Sequence, residues 1–228
     1  GTAEGYTYSR TANPTINAFE QRVAHLEQAE RGLATATGMA ALQATFLTFL
    51  QAGDHLVSSS SLFGPTMGLI SNQLPRCGIE VTLVSQTDLA QWQAAIKDNT
   101  KMLFLETPSN PLNEAGDISA LAKMAHEAGA LLVVDNSVCS PALQRPLSLG
   151  ADLSVQSATK AIDGHGRVMG GIVCGSDTLI DQVFQHARTA GQSMSPFNAW
   201  VLLSGLETLF VRMEKQCANA LKVAQWLQ

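Results

Sequence analysis

Ala130-Leu131-Leu132-Val133-Val134-Asp135-Asn136, followed after one short interval by Leu153-Ser154-Val155-Gln156-Ser157-Ala158-Thr159-Lys160, is the stretch on which the fold turns. The apolar run before Asp135 reads as a parallel strand buried on both faces, so the carboxylate that closes it is expected at the carboxyl edge of a sheet. Leu153-Ser154-Val155-Gln156 reads as a second short strand. Ser157, Thr159 and Gly164 crowd the turn beyond it, which puts Lys160 near the same edge, where open α/β sheets bind ligands. A lysine amine condenses with a carbonyl, and a site for pyridoxal phosphate (PLP) pairs that lysine with an acid on the ring nitrogen. Taken singly, Lys160 is a solvated surface charge and Asp135 a loop or cap aspartate.

Outward from this pair, strand and helix signals alternate without a repeat, a low-complexity tract or a linker. Strands are predicted at 34–37, 55–58, 80–84, 101–105, 130–134, 152–156 and 170–174. Asn13-Pro14 forms an N-cap followed by proline at the first helical position, and Ile16, Phe19, Val23 and Leu26 share one side of the helix it opens. Further helices are predicted at 38–50, 66–74, 88–95, 117–128, 176–190 and 195–211, with another from Cys217 to Gln228. The pattern predicts an α/β domain, a mostly parallel sheet with helices on both faces.

Composition narrows the function classes. With 228 residues the chain buries a substantial core, and 46% hydrophobic against 14% charged residues suits a sheet covered on both sides and implies subunit contacts. A net charge of −5, with dispersed lysines and arginines, gives no footprint for nucleic acid or an anionic membrane. Apolar runs are too short to cross a bilayer. Neither CxxC nor HxxxH spacing occurs, so no metal site is expected. Cys77, Cys139, Cys174 and Cys217 are expected to be reduced and mostly buried, in keeping with the cytoplasm. No signal peptide is read at Gly1-Thr2-Ala3-Glu4, although the chain starts without methionine.

Other candidate ligand groups are distributed along the chain. Thr37-Gly38-Met39 stands at a strand-to-helix turn, where free N–H groups and the positive helix end suit a phosphate. Neither GxxxxGK[ST] nor GxGxxG is present, which argues against a nucleotide as the owner of that phosphate. Phe63 is open to two readings, a core aromatic or a ring stacked on a planar cofactor. Tyr6, Tyr8 and Arg10 form either a solvated arm or a phosphate-binding cluster. Pro108 and Pro111 stiffen the loop carrying Asn110, a candidate ligand donor.

Tyr6-Thr7-Tyr8-Ser9-Arg10 with Asn13-Pro14-Thr15, Thr37-Gly38-Met39, Glu106-Thr107-Pro108-Ser109-Asn110-Pro111, Asp135-Asn136 and Ser157-Ala158-Thr159-Lys160 together resemble the Cys/Met-metabolism family of PLP enzymes. The resemblance covers nearly the whole chain. It implies the aspartate-aminotransferase-like fold (fold type I) and a homotetramer built from dimers that share active sites. It also implies roles: Lys160 holds PLP covalently, Asp135 pairs with the ring nitrogen, Gly38, Met39, Ser157 and Thr159 bind the phosphate, and Asn110 contacts the cofactor. Tyr8 and Arg10 would reach the phosphate of a neighbouring subunit from an arm over residues 1–12, leaving 13–228 as the PLP-binding large domain.

Family chains are longer, and the smaller carboxyl-terminal domain that supplies the arginine for the substrate carboxylate is not in this chain. Phe63 takes the place of a stacking tyrosine, and Asp163-Gly164-His165-Gly166-Arg167 departs from the Gly-His-Ser-Asp version of the cystathionine enzymes. Both departures resemble the O-succinylhomoserine sulfhydrylase branch. An amino-acid substrate and sulfide are the partners this implies, with cystathionine γ-synthase, a γ- or β-lyase, or a catalytically silent scaffold subunit as alternatives.

Overall fold

The computed structural model describes residues 5–228; residues 1–4, and with them the start of the expected arm and the leader reading, lie outside the described residues. Seven strands form one sheet: β1 Arg31–Thr35, β2 His55–Ser59, β3 Glu80–Val84, β4 Thr100–Glu106, β5 Leu131–Asp135, β6 Leu153–Gln156 and β7 Gly171–Gly175, in the order β1-β7-β6-β5-β4-β2-β3. Only β7 runs against its neighbours, pairing antiparallel with both β1 and β6. The helices are α1 Pro14–Glu27, α2 Gly38–Phe49, α3 Gly64–Gly68, α4 Leu74–Arg76, α5 Leu89–Ala95, α6 Ile118–Glu127, α7 Ser140–Leu143, α8 Asp177–Ala190, α9 Pro196–Leu206 and α10 Leu209–Leu227.

The central strands are apolar throughout because each face has its own cover. Met102, Phe104 and Val133 pack on one side with Phe46 of α2 and Ile180 of α8. Their neighbours Leu103, Leu105, Leu132 and Val134 pack on the other with Trp92 of α5 and Leu121 of α6. Side chains alternate across a strand, so a strand buried on both faces must lose its polar positions. Phe46 meets Phe104 edge to face, with ring centroids 5.1 Å apart. The far part of the second face is covered by α1 and α9, where Phe19 and Leu202 join Ile172 of β7.

Several boundaries differ from the sequence prediction. The strand expected at 34–37 lies at Arg31–Thr35, because these residues pair with Gly171–Gly175 and Thr37 is used instead as the N-cap of α2, accepting from Ala40 N–H. The helix expected at 66–74 is α3 and α4 joined by a wide π turn over Leu69–Gln73. The helix expected at 195–211 ends at Leu206, and α10 absorbs the one expected from Cys217. The Gly205 carbonyl, which an uninterrupted helix would offer to Leu209, accepts instead from Arg212 Nη2 at 2.8 Å and Thr208 N at 3.3 Å. The cysteines are not mostly buried: Cys174 is, Cys139 is half-buried, and Cys77 and Cys217 are exposed. No helix among the described residues is long and apolar enough to cross a membrane.

On α1 the structure buries Ile16, Phe19 and Val23 as expected, but Leu26 is only partly buried and Glu27 is fully enclosed. Glu27 Oε1 accepts from Asn136 Nδ2 at 3.0 Å, from Ser154 Oγ at 3.2 Å and from Gln156 Nε2, tying α1 to the ends of β5 and β6. Burial pushes its carboxyl from the usual 4.5 up to about 7, against the hydrogen bonds from Asn136 and Ser154 and the charge of Arg145. A carboxyl raised on folding contributes stability that is full below its unfolded value and is lost as pH rises through about 7. Glu27→Gln keeps an acceptor for the donors and removes the titration. The variant should lose less stability than the native protein between pH 5 and pH 8, by on the order of 3 kcal/mol. Urea unfolding at the two pH values measures this, and equal losses would contradict the assignment.

Candidate active site

Five parallel strands deliver their carboxyl ends to one cavity of about 670 Å³. The turn after β1 brings Thr37, Gly38 and Met39, that after β2 brings Phe63, β4 ends in Glu106 and leads to Asn110, β5 ends in Asp135 and leads to Ser137, and β6 leads to Ser157, Thr159 and Lys160. Lys160, Asp135, Gly38, Met39, Phe63, Asn110, Ser157 and Thr159, all singled out from the sequence, therefore share one lining.

Gly38 opens α2 against Ser157. A methyl group built on Gly38 would stand 2.7 Å from Ser157 Cβ and 2.9 Å from its Cα, so only glycine allows this approach. Thr37 caps the helix through Ala40, and its carbonyl takes Ala41 N–H at 3.1 Å. The N–H groups of Gly38 and Met39, at the positive end of the helix, are left for an acceptor from outside. The Ser157 side chain faces this turn, whereas the Thr159 hydroxyl is already engaged with Gly170, donating to its carbonyl at 3.2 Å and accepting from its N–H at 3.1 Å. Thr159 thus lines the cavity with its hydroxyl committed to the backbone.

Asp135 is 7% exposed. Its Oδ1 accepts from Ser137 N at 2.9 Å and Ser137 Oγ at 2.6 Å, while Ser137 Oγ itself accepts from Ser157 N at 2.7 Å. Ser137 therefore joins the acid to the turn that carries Lys160, and Asp135 Oδ2 accepts no hydrogen bond from the described residues. Burial pushes the Asp135 carboxyl above its ordinary value, and the two bonds from Ser137 pull the other way. A buried carboxylate with one free oxygen is best stabilised by a cation, and a protonated ring nitrogen supplies one.

Phe63 is 39% exposed and lines the cavity, which decides between its two sequence readings in favour of the cavity. Tyr8 and Arg10 do not line it within one chain. Arg10 lies over the Tyr8 ring, 5.2 Å from its centroid, and donates to the Arg188 carbonyl, while Tyr6 accepts from Asn17 at 3.2 Å. No group of potential metal ligands occurs among the described residues.

Sequence reasoning missed Glu106 and Ser137 as site residues. Both carried a signal: Ser137 follows Asp135 by two positions, the spacing of a side-chain turn, and Glu106 closes an apolar strand just as Asp135 does. Glu106 is 3% exposed; burial and the neighbouring Asp135 charge push its carboxyl up to about 7, against N–H groups of Phe63 and Asn110.

The lining is chemically suited to PLP: Gly38 and Ser157 could cradle its phosphate, Asp135 could face its ring nitrogen, Phe63 could stack on its ring and Lys160 offers an amine. Gly38→Ala should weaken PLP binding about tenfold or more, since the cradle must open to admit the methyl group. Fluorescence titration of cofactor-free protein measures this, and unchanged affinity would remove the cradle from the phosphate site.

The family model for Cys/Met metabolism PLP-dependent enzymes matches residues 1–228. Among curated proteins, an O-succinylhomoserine sulfhydrylase of Pseudomonas aeruginosa is 52% identical over 228 residues, covering 100% of this chain and 57% of the relative. An L-methionine gamma-lyase of Pseudomonas putida is 42% identical over 229 residues, covering 100% of this chain and 58% of the relative. Among solved structures, metB from Corynebacterium glutamicum aligns with TM-score 0.95 at 44% identity, over 98% of this chain and 58% of the other. Cystathionine gamma-lyase from Lactobacillus plantarum complexed with L-serine aligns with TM-score 0.96 at 38% identity, over 100% of this chain and 60% of the other. The chain thus spans 57% or 58% of the length of these curated relatives. It has the expected α/β fold of these PLP enzymes, and it belongs to the Cys/Met-metabolism family, whose cofactor is pyridoxal phosphate.

Proposed function

We propose that the chain is the cofactor-binding part of a γ-replacement enzyme that converts O-succinylhomoserine and sulfide to homocysteine and succinate. The observation that carries this reading is the 52% identity over the whole chain to an O-succinylhomoserine sulfhydrylase, ten points above the methionine gamma-lyase of Pseudomonas putida at 42%. Phe63, in place of the stacking tyrosine, supports the same branch.

When bound, PLP supplies an electron-withdrawing ring that disperses the negative charge left by proton loss at the substrate Cα. Lys160 would hold the cofactor, and its free amine would take that Cα proton as a general base. Asp135 would keep the ring nitrogen protonated, its Oδ1 being bonded by Ser137 and its Oδ2 left for that partner. Gly38, Met39 and Ser157 would hold the phosphate through N–H and hydroxyl donors, with Thr159 shaping the same turn, and Asn110 and Phe63 would orient the ring. The net change at Cγ breaks the carbon–oxygen bond to succinate and forms a carbon–sulfur bond to sulfide. Tyr8 and Arg10, which stand before the first helix, would complete the phosphate site of a partner subunit in a cytoplasmic homotetramer, with 13–228 as the large domain.

The second reading is methionine γ-lyase, favoured by the relatives at 42% identity. A competition assay on the full-length protein separates the readings. With O-succinylhomoserine and equal sulfide and cysteine, homocysteine should be the main product. Predominant cystathionine would move the protein to the synthases, and ammonia with 2-oxobutyrate from methionine, without replacement, to the lyases.

A further inference from the structure

Glu106 stands at the end of β4 beside Asp135, its partner in the β4–β5 register. Its two oxygens serve two different pieces of chain. Oε2 accepts from Phe63 N at 2.8 Å, and Oε1 accepts from Asn110 N at 3.0 Å. Phe63 lies 43 residues away in sequence on the turn after β2, whereas Asn110 lies four residues on, in the loop after β4. Both residues line the cavity, and so does Glu106. The carboxylate has no further hydrogen-bond partner among the described residues, so its bonding is spent wholly on placing these two neighbours.

We propose that Glu106 is a positioning residue that sets where Phe63 and Asn110 stand in the cofactor cavity. This rests on the cavity being the PLP site. A carboxylate in so enclosed a place is costly, and it sits next to a second buried acid, which raises the cost further. The N–H groups of Phe63 and Asn110 meet separate oxygens at 2.8 and 3.0 Å, so each bond fixes a backbone position rather than a mobile side chain. Neighbouring hydrogen bonds leave little slack. Ser109 N donates to the Glu114 carbonyl at 3.0 Å, and Ser59 Oγ accepts from Ser61 N at 3.0 Å, so both segments are held from behind as well. Glu106 is thus the link that sets one held segment relative to the other. Glutamine is not an equivalent, since its amide offers one acceptor and turns a donor toward the other N–H.

The test is a comparison of PLP dissociation constants in the full-length protein, read by fluorescence after cofactor removal. Glu106→Gln should weaken PLP binding about tenfold in the native background. The same substitution added to a Phe63→Ala/Asn110→Ala background should change binding by less than about twofold, because the groups it places are gone. An equal loss in both backgrounds would overturn the proposal, as it would show general destabilisation or an action elsewhere; no loss in the native background would overturn it too. Should Glu106→Gln fail to fold, Glu106→Asp, which keeps the charge but is too short to reach both N–H groups, carries the same comparison. Failure of the PLP-site reading itself is distinct, since Phe63→Ala/Asn110→Ala alone would then leave PLP affinity unchanged.

Discussion

The in-register parallel pairing of β4, β5 and β6 is the constraint from which the rest of the site follows. Glu106 is opposite Asp135, and Asp135 is opposite Val155, two residues before Ser157. Side chains alternate along a strand, so a slip of one position would turn Leu103, Leu105, Leu132 and Val134 onto the opposite face and carry Asp135 away from the cavity. The apolar packing that fixes the register is therefore also what fixes the acids. Fold and site are not separable here, because the hydrophobic period of two ends, at the carboxyl edge, in residues that do chemistry.

The chain concentrates buried acids near that edge. Glu27, Glu106 and Asp135 are all enclosed, and burial pushes each carboxyl upward. Each has a separate set of donors: side-chain amides and a hydroxyl for Glu27, backbone N–H groups for Glu106, Ser137 for Asp135. Asp135 alone keeps an oxygen open to the cavity. The first two acids are bonded through side-chain or backbone donors on other segments, whereas Asp135 leaves Oδ2 without a hydrogen bond from the described residues. Lys160 contributes an amine from the adjacent turn, and the N-terminus of α2 contributes positive potential in the same cavity.

Much of this was legible in the sequence, and the reasons are local. Strands such as Leu131–Asp135 and Leu153–Gln156 announce themselves by apolar runs, and Thr37-Gly38 by cap chemistry, so seven strands and the shared lining of eight candidate residues could be anticipated. What was not legible depends on partners distant in sequence. Helical periodicity puts Glu27 four residues after Val23 on the buried side of α1, but nothing local shows what satisfies an acid there, because Asn136, Ser154 and Gln156, more than 100 residues later, supply its donors. At the break after Leu206 the Gly205 carbonyl is taken by the Arg212 side chain, a partner that no helix propensity reveals. Thr159 shows the reverse case: the motif is present, but the hydroxyl is bound to Gly170.

The placement of Lys160 and Asp135 on one cavity wall gives the most direct test. Full-length protein loaded with PLP, reduced with borohydride and mapped by peptide mass spectrometry, should carry the pyridoxyl group on the peptide containing Lys160. A pyridoxyl group on any other lysine, or none on a protein that has bound the cofactor, would contradict that placement.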